Sequence, residues 1–185
     1  SHDLAGARVL TDAVLGVGLD ALTCGLKAFV NLTHHLLIDG AGTLLPPETT
    51  VLQLADNMPV TEEVIDTCRR LHDGGYAIAL SNFIGGSPAE ALLPWTRFVK
   101  VNVQQTPSTS WRPLINGLRS RNVRMIAEGV ESAEMATAAR MSGFQLFQGF
   151  YFCKPTTFAK TPLPARRLAY LNLLASLNRD NLSVE

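Results

Sequence analysis

The sequence has 185 residues, of which 46% are hydrophobic and 17% are charged, and its 16 basic residues are balanced by 16 acidic ones. This apolar content can form the core of one domain, and the neutral charge balance gives no reason to expect a nucleic-acid partner. No apolar run approaches the roughly 20 residues that a membrane span needs, and residues 1–4 do not begin a signal peptide. Three scattered cysteines without metal-binding spacing, Cys24, Cys68 and Cys153, indicate a cytoplasmic protein in which most thiols are buried.

The first half of the chain alternates helical and strand-like segments. Apolar spacing predicts a helix over 3–22, and a strand over 27–33 follows it. A helix over 36–45 ends before the Pro46-Pro47 pair, which cannot continue it, and a strand is predicted over 49–55. The next helix begins at Thr61, which can cap it, and ends at Gly74-Gly75.

The second half continues the alternation. The sequence predicts strands over 76–80, 97–103, 124–128 and 144–148, and helices over 88–93, 111–120, 132–141 and 163–177. Strands that alternate with helices at short intervals indicate βα units with parallel strands. Only six strands are predicted, whereas a closed barrel of this class has about eight. We therefore expect a TIM-like (βα) barrel of the α/β class that lacks its first strand.

Polar side chains occupy the carboxyl ends of the predicted strands, where parallel βα folds place their reactive groups. They are mostly amides, and they comprise Asn31, Gln53, Ser81, Asn82, Lys100, Asn102, Glu128, Glu131 and Gln148. A buried lysine or glutamate needs a partner or a function, and a Lys100–Glu128 ion pair across neighbouring strands would satisfy both groups without catalysis. A two-metal site needs several converging carboxylates, and this set lacks them.

Seven segments resemble the motifs of the EAL domain, in the order in which that family has them. They cover 30–33 (Val-Asn-Leu-Thr), 51–56 (Val-Leu-Gln-Leu-Ala-Asp), 68–76, 78–83 (Ile-Ala-Leu-Ser-Asn-Phe), 99–102 (Val-Lys-Val-Asn), 127–131 (Ala-Glu-Gly-Val-Glu) and 144–149. The resemblance extends over residues 4–155 and implies descent from enzymes that linearise cyclic di-GMP with two Mg²⁺ or Mn²⁺ ions. It is closest to the EAL half of bacterial signalling proteins that join an EAL domain to an HDOD domain.

The resemblance implies a role for each matched position. Asn31, Lys100, Glu128, Glu131 and Gln148 keep the family's residues, and Asp56 stands where a glutamate steadies a catalytic loop. Four positions that hold carboxylates in the family are degenerate here, namely Gln53, Ser81, Asn82 and Asn102. The Glu-Ala-Leu signature strand has no counterpart, through natural loss or through trimming of the chain, and the letters Glu90-Ala91-Leu92 fall on a predicted helix far from its place.

These departures from the family's residues lead to three hypotheses about function. The first is a catalytically inactive regulatory domain in bacterial signal transduction that acts through protein–protein contacts and needs no cofactor or metal. The second is a receptor that binds cyclic di-GMP, or another nucleotide, without cleaving it. The third, and the weakest, is an active phosphodiesterase. The domain would cover residues 1–160, with 161–185 forming a helix and connector towards a following HDOD domain, and a homodimer is a further candidate assembly.

Four other features receive ordinary structural interpretations. The His34-His35 pair is expected to be a surface pair, and Gly85-Gly86 is expected to be a turn. Trp95 and Trp111 are expected to pack within the core or between helices. The leucines between Leu168 and Leu177 would pack on the barrel or on a following domain, or form a dimer seam.

Overall fold

A computed structural model of the protein describes Thr23 and residues 25–153. The strands are β1 (Ala28–Leu32), β2 (Thr50–Leu54), β3 (Ala77–Leu80), β4 (Thr96–Asn102), β5 (Arg124–Glu128) and β6 (Leu146–Gln148). The α-helices are α1 (His34–Ile38), α2 (Glu62–Asp73), α3 (Ser108–Leu118) and α4 (Ala133–Ser142). Two 3₁₀ helices, Ala41–Leu44 and Pro88–Trp95, complete the described part.

The six strands form one sheet in sequence order, and every neighbouring pair is parallel. Each of the strands β1 to β5 is followed by a helical segment that returns the chain to the same end of the sheet, as parallel pairing requires. The sheet curls into a half-barrel with the helices outside. The predicted α/β class and the predicted number of strands are therefore confirmed for the part of the chain that the structure covers.

Two apolar layers hold the sheet in place. The larger one lies between the sheet and the helices and includes Leu52, Val64, Val99 and Trp111, all buried. The smaller one lies on the concave face of the sheet and comprises Val51, Ala79, Phe98 and Ile126, with Ala77 and Leu146 packed against it. Because side chains alternate along a strand, the residues that follow this smaller layer by two positions also face into the half-barrel.

The helix predicted over 36–45 is wrong in its form. The α-helix begins earlier, with Thr33 as its N-cap, and it ends at Ile38. Gly40 then takes a left-handed conformation with φ 73°, and a separate 3₁₀ turn begins at Ala41. Glycine tolerates this conformation at little cost, so the helix is broken at Gly40 although the apolar pattern continues across it.

Other boundaries moved by a few residues. α3 begins at Ser108 rather than 111, after Pro107, and β6 is only three residues long. Thr61 caps α2 as predicted, since its Oγ1 accepts a hydrogen bond from the Val64 N–H. The segment with the letters Glu-Ala-Leu lies in the 3₁₀ helix Pro88–Trp95 rather than on a strand. The helices predicted over 3–22 and 163–177, the domain boundary at 160 and the Leu168–Leu177 stripe lie outside the described residues.

The interpretations of single residues were mostly confirmed. Trp111 is buried and Trp95 is half-buried. Of the cysteines, most of which are expected to be buried, Cys68 is buried and Cys153 is exposed; Cys24 lies outside the described part. The two histidines lie in the first turn of α1 rather than on a strand end, with ring centroids 5.7 Å apart, and His35 is exposed. No helix within residues 25–153 is both long and apolar enough to cross a membrane.

Candidate functional site

The candidate site is the polar rim of the concave face. Each inward-facing strand position that follows the apolar layer by two residues carries a polar side chain, because strand alternation returns to the same face. The rim residues are Asn31 on β1, Gln53 on β2, Ser81 after β3, Lys100 and Asn102 on β4, Glu128 on β5 and Gln148 on β6. The structure thus brings the sequence-predicted strand-end residues to one edge of the sheet, as expected.

Lys100 is the centre of this rim. Its side chain is only 1% exposed, yet it carries a charge that burial alone would make costly. Its Nζ lies 2.7 Å from Oε1 of Glu128 and donates a hydrogen bond of 3.0 Å to Oε1 of Gln53. The predicted Lys100–Glu128 ion pair is therefore confirmed, and Gln53 is a second partner that the sequence did not suggest.

A small residue on the intervening strand makes this contact between β2 and β4 feasible. β3 lies between them, and Ala79 is paired with Gln53 in the sheet register. A methyl group at this position leaves the space above β3 to the side chains of Lys100 and Gln53. The Gln53–Lys100–Glu128 chain therefore links three strands, β2, β4 and β5, across the concave face.

The residues after β3 form a separate pair. Asn82 has φ 42°, the sole non-glycine with positive φ in the described backbone, and asparagine is one of the few residues that tolerate this conformation. Its Nδ2 donates to Oδ2 of Asp56 in the loop after β2. Asp56 thus contacts the segment after β3, and the loop-steadying role that the resemblance implies stays a prediction.

The side chain of Asn102 stabilises the turn that follows β4. Its Oδ1 accepts hydrogen bonds from the backbone N–H groups of Gln104 (3.0 Å) and Gln105 (3.2 Å). Gln104 in turn donates from Nε2 to the carbonyl of Gly129 at 2.8 Å. An asparagine whose side-chain oxygen accepts from backbone N–H groups two and three residues later is a common turn device.

The remaining candidates stand apart from Lys100. Asn31, Glu131 and Gln148 are exposed, and their side chains make no hydrogen bond or ion pair with other residues in the described part. Two side-chain oxygens in the segment after β3, Ser81 Oγ and Asn82 Oδ1, are buried without a hydrogen-bond partner in the described part. Buried polar atoms without partners are uncommon in proteins and mark places where a ligand or water can bind.

The donor set does not fit the metal pair that the resemblance implies. Within residues 25–153, no three His, Cys, Asp or Glu side chains are grouped closely enough to hold a metal ion. The rim carries one carboxylate, Glu128, which is already paired with a lysine. Amides are neutral and bind hard divalent cations less well than carboxylates do, so no catalytic step through metal ions can be derived from these residues.

Comparison with known proteins shows the family to which the matched residues correspond. The family model of the EAL domain matches residues 31–155. Over 99% of this chain, the sequence is 27% identical to the uncharacterized protein YuxH of Bacillus subtilis, and over 83% it is 27% identical to the cyclic di-GMP phosphodiesterase CdgJ of Vibrio cholerae. The chain spans 46% and 36% of the lengths of these two relatives.

A solved structure supports the fold. The Bacillus subtilis YkuI protein, which has an EAL domain and was solved in complex with cyclic di-GMP and calcium, superposes with a TM-score of 0.63 at 19% identity. The match covers 92% of this chain and 47% of that one. The TM-score confirms the TIM-like barrel architecture, of which the described residues hold six strands.

Proposed function

Because this chain belongs to the EAL domain family, we propose that it is a non-catalytic member that regulates bacterial signalling through protein contacts. One observation carries the proposal: Lys100, which matches the family's active-site lysine, is buried, and its ammonium pairs with Glu128 and donates to Gln53. A lysine held in this way cross-links three strands, which is a structural role that requires no reaction centre.

The charge balance of the rim supports this reading. Lys100 and Glu128 cancel, and the other rim positions are amides or a serine. Two divalent cations bring four positive charges, which several carboxylates must balance in a metal-dependent phosphodiesterase. Here the carboxylate that the rim contributes, Glu128, is already paired with the ammonium of Lys100. Rebuilding a site from Asp56, Glu128 and Glu131 would require breaking both the Asn82 contact and the Lys100 pair.

Asn102 adds an independent argument. Where the family has an aspartate, this residue now fixes the turn at 103–105 through two backbone hydrogen bonds. An aspartate could accept the same two bonds, so the amide is not required by the turn. The substitution therefore removes a charge without loss of local structure, which is the pattern expected when metal binding is no longer needed.

A second candidate is a cyclic di-GMP receptor that does not cleave its ligand. It is favoured by the exposed amides of Asn31 and Gln148 on the rim and by the unsatisfied Ser81 Oγ and Asn82 Oδ1. The YkuI protein was solved with cyclic di-GMP bound. Amides and hydroxyls can donate hydrogen bonds to phosphate and base edges without a metal.

The protein partner remains part of the proposal. We place the domain in the cytoplasm, and we expect it to contact either a separate protein or an HDOD domain joined to it. The chain spans less than half of YuxH and CdgJ, which leaves room in those relatives for a further domain.

Isothermal calorimetry with cyclic di-GMP in the presence of Mg²⁺ and then Mn²⁺, followed by chromatography of the mixture, tests the proposal. CdgJ serves as the control for linear product. Neither heat nor product would agree with the protein-contact function. Heat without product, reduced in Asn31→Ala and Gln148→Ala variants, would establish the receptor. Linear product that persists after removal of contaminating enzymes would overturn the proposal.

A further inference from the structure

Charge is segregated along this neutral chain. Between Glu90 and Glu128 the sequence has no aspartate or glutamate. The same interval contains Arg97, Lys100, Arg112, Arg119, Arg121 and Arg124. Lys100 is buried and paired, whereas all five arginines are exposed. The segment therefore presents a positive surface that no acidic residue of its own neutralises.

Four of these arginines lie at the amino-terminal edge of the sheet, opposite the polar rim. Arg97 is near the start of β4, Arg124 begins β5, and Arg119 and Arg121 lie in the loop that joins α3 to β5. Because the strands are parallel, their starts meet at one edge. The positive patch is thus separate from the candidate site around Lys100.

These arginines retain free hydrogen-bonding capacity. Arg97 donates one bond of 3.2 Å to Oδ1 of Asn122, and the guanidinium of Arg124 lies 6.0 Å from the ring centroid of Phe98. The side chain of Arg121 makes no hydrogen bond or ion pair with any residue of the described ranges. A guanidinium has five N–H donors in a planar fork that matches a carboxylate, so most of these donors are available.

A cleft and a groove meet at Arg121. The cleft has a volume of about 460 Å³ and includes Arg97, Arg121, His72 and Trp95 in its walls. The groove has a volume of about 550 Å³ and runs between the 3₁₀ helix Pro88–Trp95 and α3. Leu93 and Arg121 line both. We call the two together the basic trough.

The groove part is largely apolar. Its walls include Phe83, Ile84, Leu93, Pro113, Leu114 and Leu118. Ile84 is 66% exposed and carries the apolar wall of the groove out to the surface. The groove exists because the 3₁₀ helix packs on α2 while α3 packs on α4, so the two elements leave a gap over the sheet.

The nearest acidic groups do not cancel the positive charge. Glu90 lines the groove, but its Oε1 accepts a hydrogen bond of 2.6 Å from the Gly86 N–H. Asp73 lies 3.4 Å from Nδ1 of His72 at the cleft. Neither carboxylate contacts Arg97 or Arg121.

We infer that the basic trough is the docking surface for a protein segment that carries apolar side chains followed by acidic ones. The apolar residues would occupy the groove beside Leu93 and Leu114, and the carboxylates would pair with Arg121 and Arg97. The apolar groove gives a nucleic acid nothing to contact with its phosphates, whereas it suits the side chains of a peptide. This inference rests on the proposed protein-contact function, and it specifies the surface and the chemistry of the partner.

Peptide selection on the immobilised full chain tests the inference. A random phage-displayed peptide library is selected on the wild-type protein and counter-selected on an Arg97→Glu/Arg121→Glu variant. We expect enrichment of peptides with apolar residues followed by at least two Asp or Glu. A synthetic peptide of the enriched sequence should bind the double variant at least about tenfold more weakly and should weaken with added salt. Arg140→Glu, an exposed arginine on α4 outside the trough, is the matched control and should bind like the wild type.

Several outcomes would overturn the inference. These are no enrichment, enriched peptides without acidic residues, or equal binding to the double variant, provided circular dichroism shows all variants folded. Self-association of the wild type that the double variant loses, measured by sedimentation, would make a second copy the occupant. An oligonucleotide that binds wild type but not the double variant would make it a nucleic-acid site.

The failure of the docking inference can be told apart from failure of the proposed function. Hydrolysis of cyclic di-GMP by the same preparation would overturn the non-catalytic function whatever the peptide result. Absence of hydrolysis together with no enriched peptide would leave the domain non-catalytic and remove this surface alone.

Discussion

At the scale of single residues, the stability of the fold depends on the buried charge of Lys100, whose pairing with Glu128 was predicted from the sequence. Lys100 sits between a carboxylate and a carboxamide, and each of the three groups satisfies a polar atom that burial would otherwise leave without a partner. Lys100 is the donor to both other groups, so its removal leaves Glu128 and Gln53 without this donor. The contribution of Lys100 to the free energy of unfolding can therefore be measured with a single variant.

Lys100→Met should destabilise the protein by about 3 kcal/mol, because it leaves the Glu128 carboxylate and the Gln53 oxygen without their donor. The double variant Lys100→Met/Glu128→Gln should be less destabilised than the single variant, since it removes the uncompensated charge as well. Urea unfolding followed by circular dichroism measures both. If the double variant were destabilised by the sum of the two single changes, the ion pair would not contribute to the fold.

Cys68 gives a prediction about pH. Burial raises the pKa of its thiol from 9.0 to about 11, so above about pH 9 the unfolded chain loses this proton while the native state keeps it. Stability is therefore fully present below pH 9 and falls as the pH rises towards 11, by at most about 2.7 kcal/mol for this group.

The control for this prediction is Cys68→Ala, which lacks the thiol. The unfolding free energy of the wild type should fall more steeply between about pH 9 and pH 10.5 than that of the variant. The pKa of Tyr76 is also raised by burial and by Glu48, and its contribution is common to both proteins. Parallel pH curves for the two would show that the thiol ionises equally in both states.

At the scale of elements, the end of β6 depends on one close backbone contact. A Cβ placed on Gly149 would fall on the backbone oxygen and nitrogen of Val130. The same region is joined by hydrogen bonds from the Val130 N–H to the Gln148 carbonyl (3.0 Å) and from the Tyr151 N–H to the Val130 carbonyl (3.1 Å). Glycine is required here by space, since backbone atoms cannot move aside as a flexible side chain can.

Gly149→Ala should therefore separate β6 from the loop after β5 and destabilise the protein by about 3 kcal/mol. Gly117→Ala is the matched change, because a Cβ there meets nothing within 4 Å and the residue lies inside α3. It should raise stability by about 0.5 to 1 kcal/mol, since alanine favours the helix. Thermal unfolding of both variants measures the contrast, and equal effects would contradict it.

The strands and helices also show how much of the fold could be predicted from the sequence. The parallel βα repeat and the rim residues follow from apolar periodicity and from chain order, because every strand of a parallel sheet ends at the same edge. The split of the segment after β1 was missed because Gly40 breaks the helix through its own conformation, without changing the apolar pattern. Gln53 as a partner of Lys100 was missed because the contact spans an intervening strand and depends on the small Ala79.

At the scale of the whole molecule, the net charge is zero although the two edges of the sheet carry different charges. The carboxyl-terminal edge of the sheet carries the polar rim with one neutralised ion pair, and the opposite edge carries four exposed arginines. The overall balance of 16 basic and 16 acidic residues gave no sign of this separation. Net charge describes solubility and general association, whereas specific recognition depends on where the charges lie.

The absence of a carboxylate cluster in the described rim gives the last prediction, which concerns metal ions. If Mg²⁺ or Mn²⁺ bound the folded protein, the ion at about 50 times its Kd would stabilise it by about 2.3 kcal/mol, and the Tm would rise by several degrees. We expect no such rise for this protein, because the ammonium of Lys100 occupies the rim and Glu128 is already paired. Differential scanning calorimetry with either ion in the millimolar range, with calcium as a third arm, measures the shift. A saturable rise in Tm that Glu128→Gln abolishes would show that the rim binds metal after all and would revive the phosphodiesterase hypothesis.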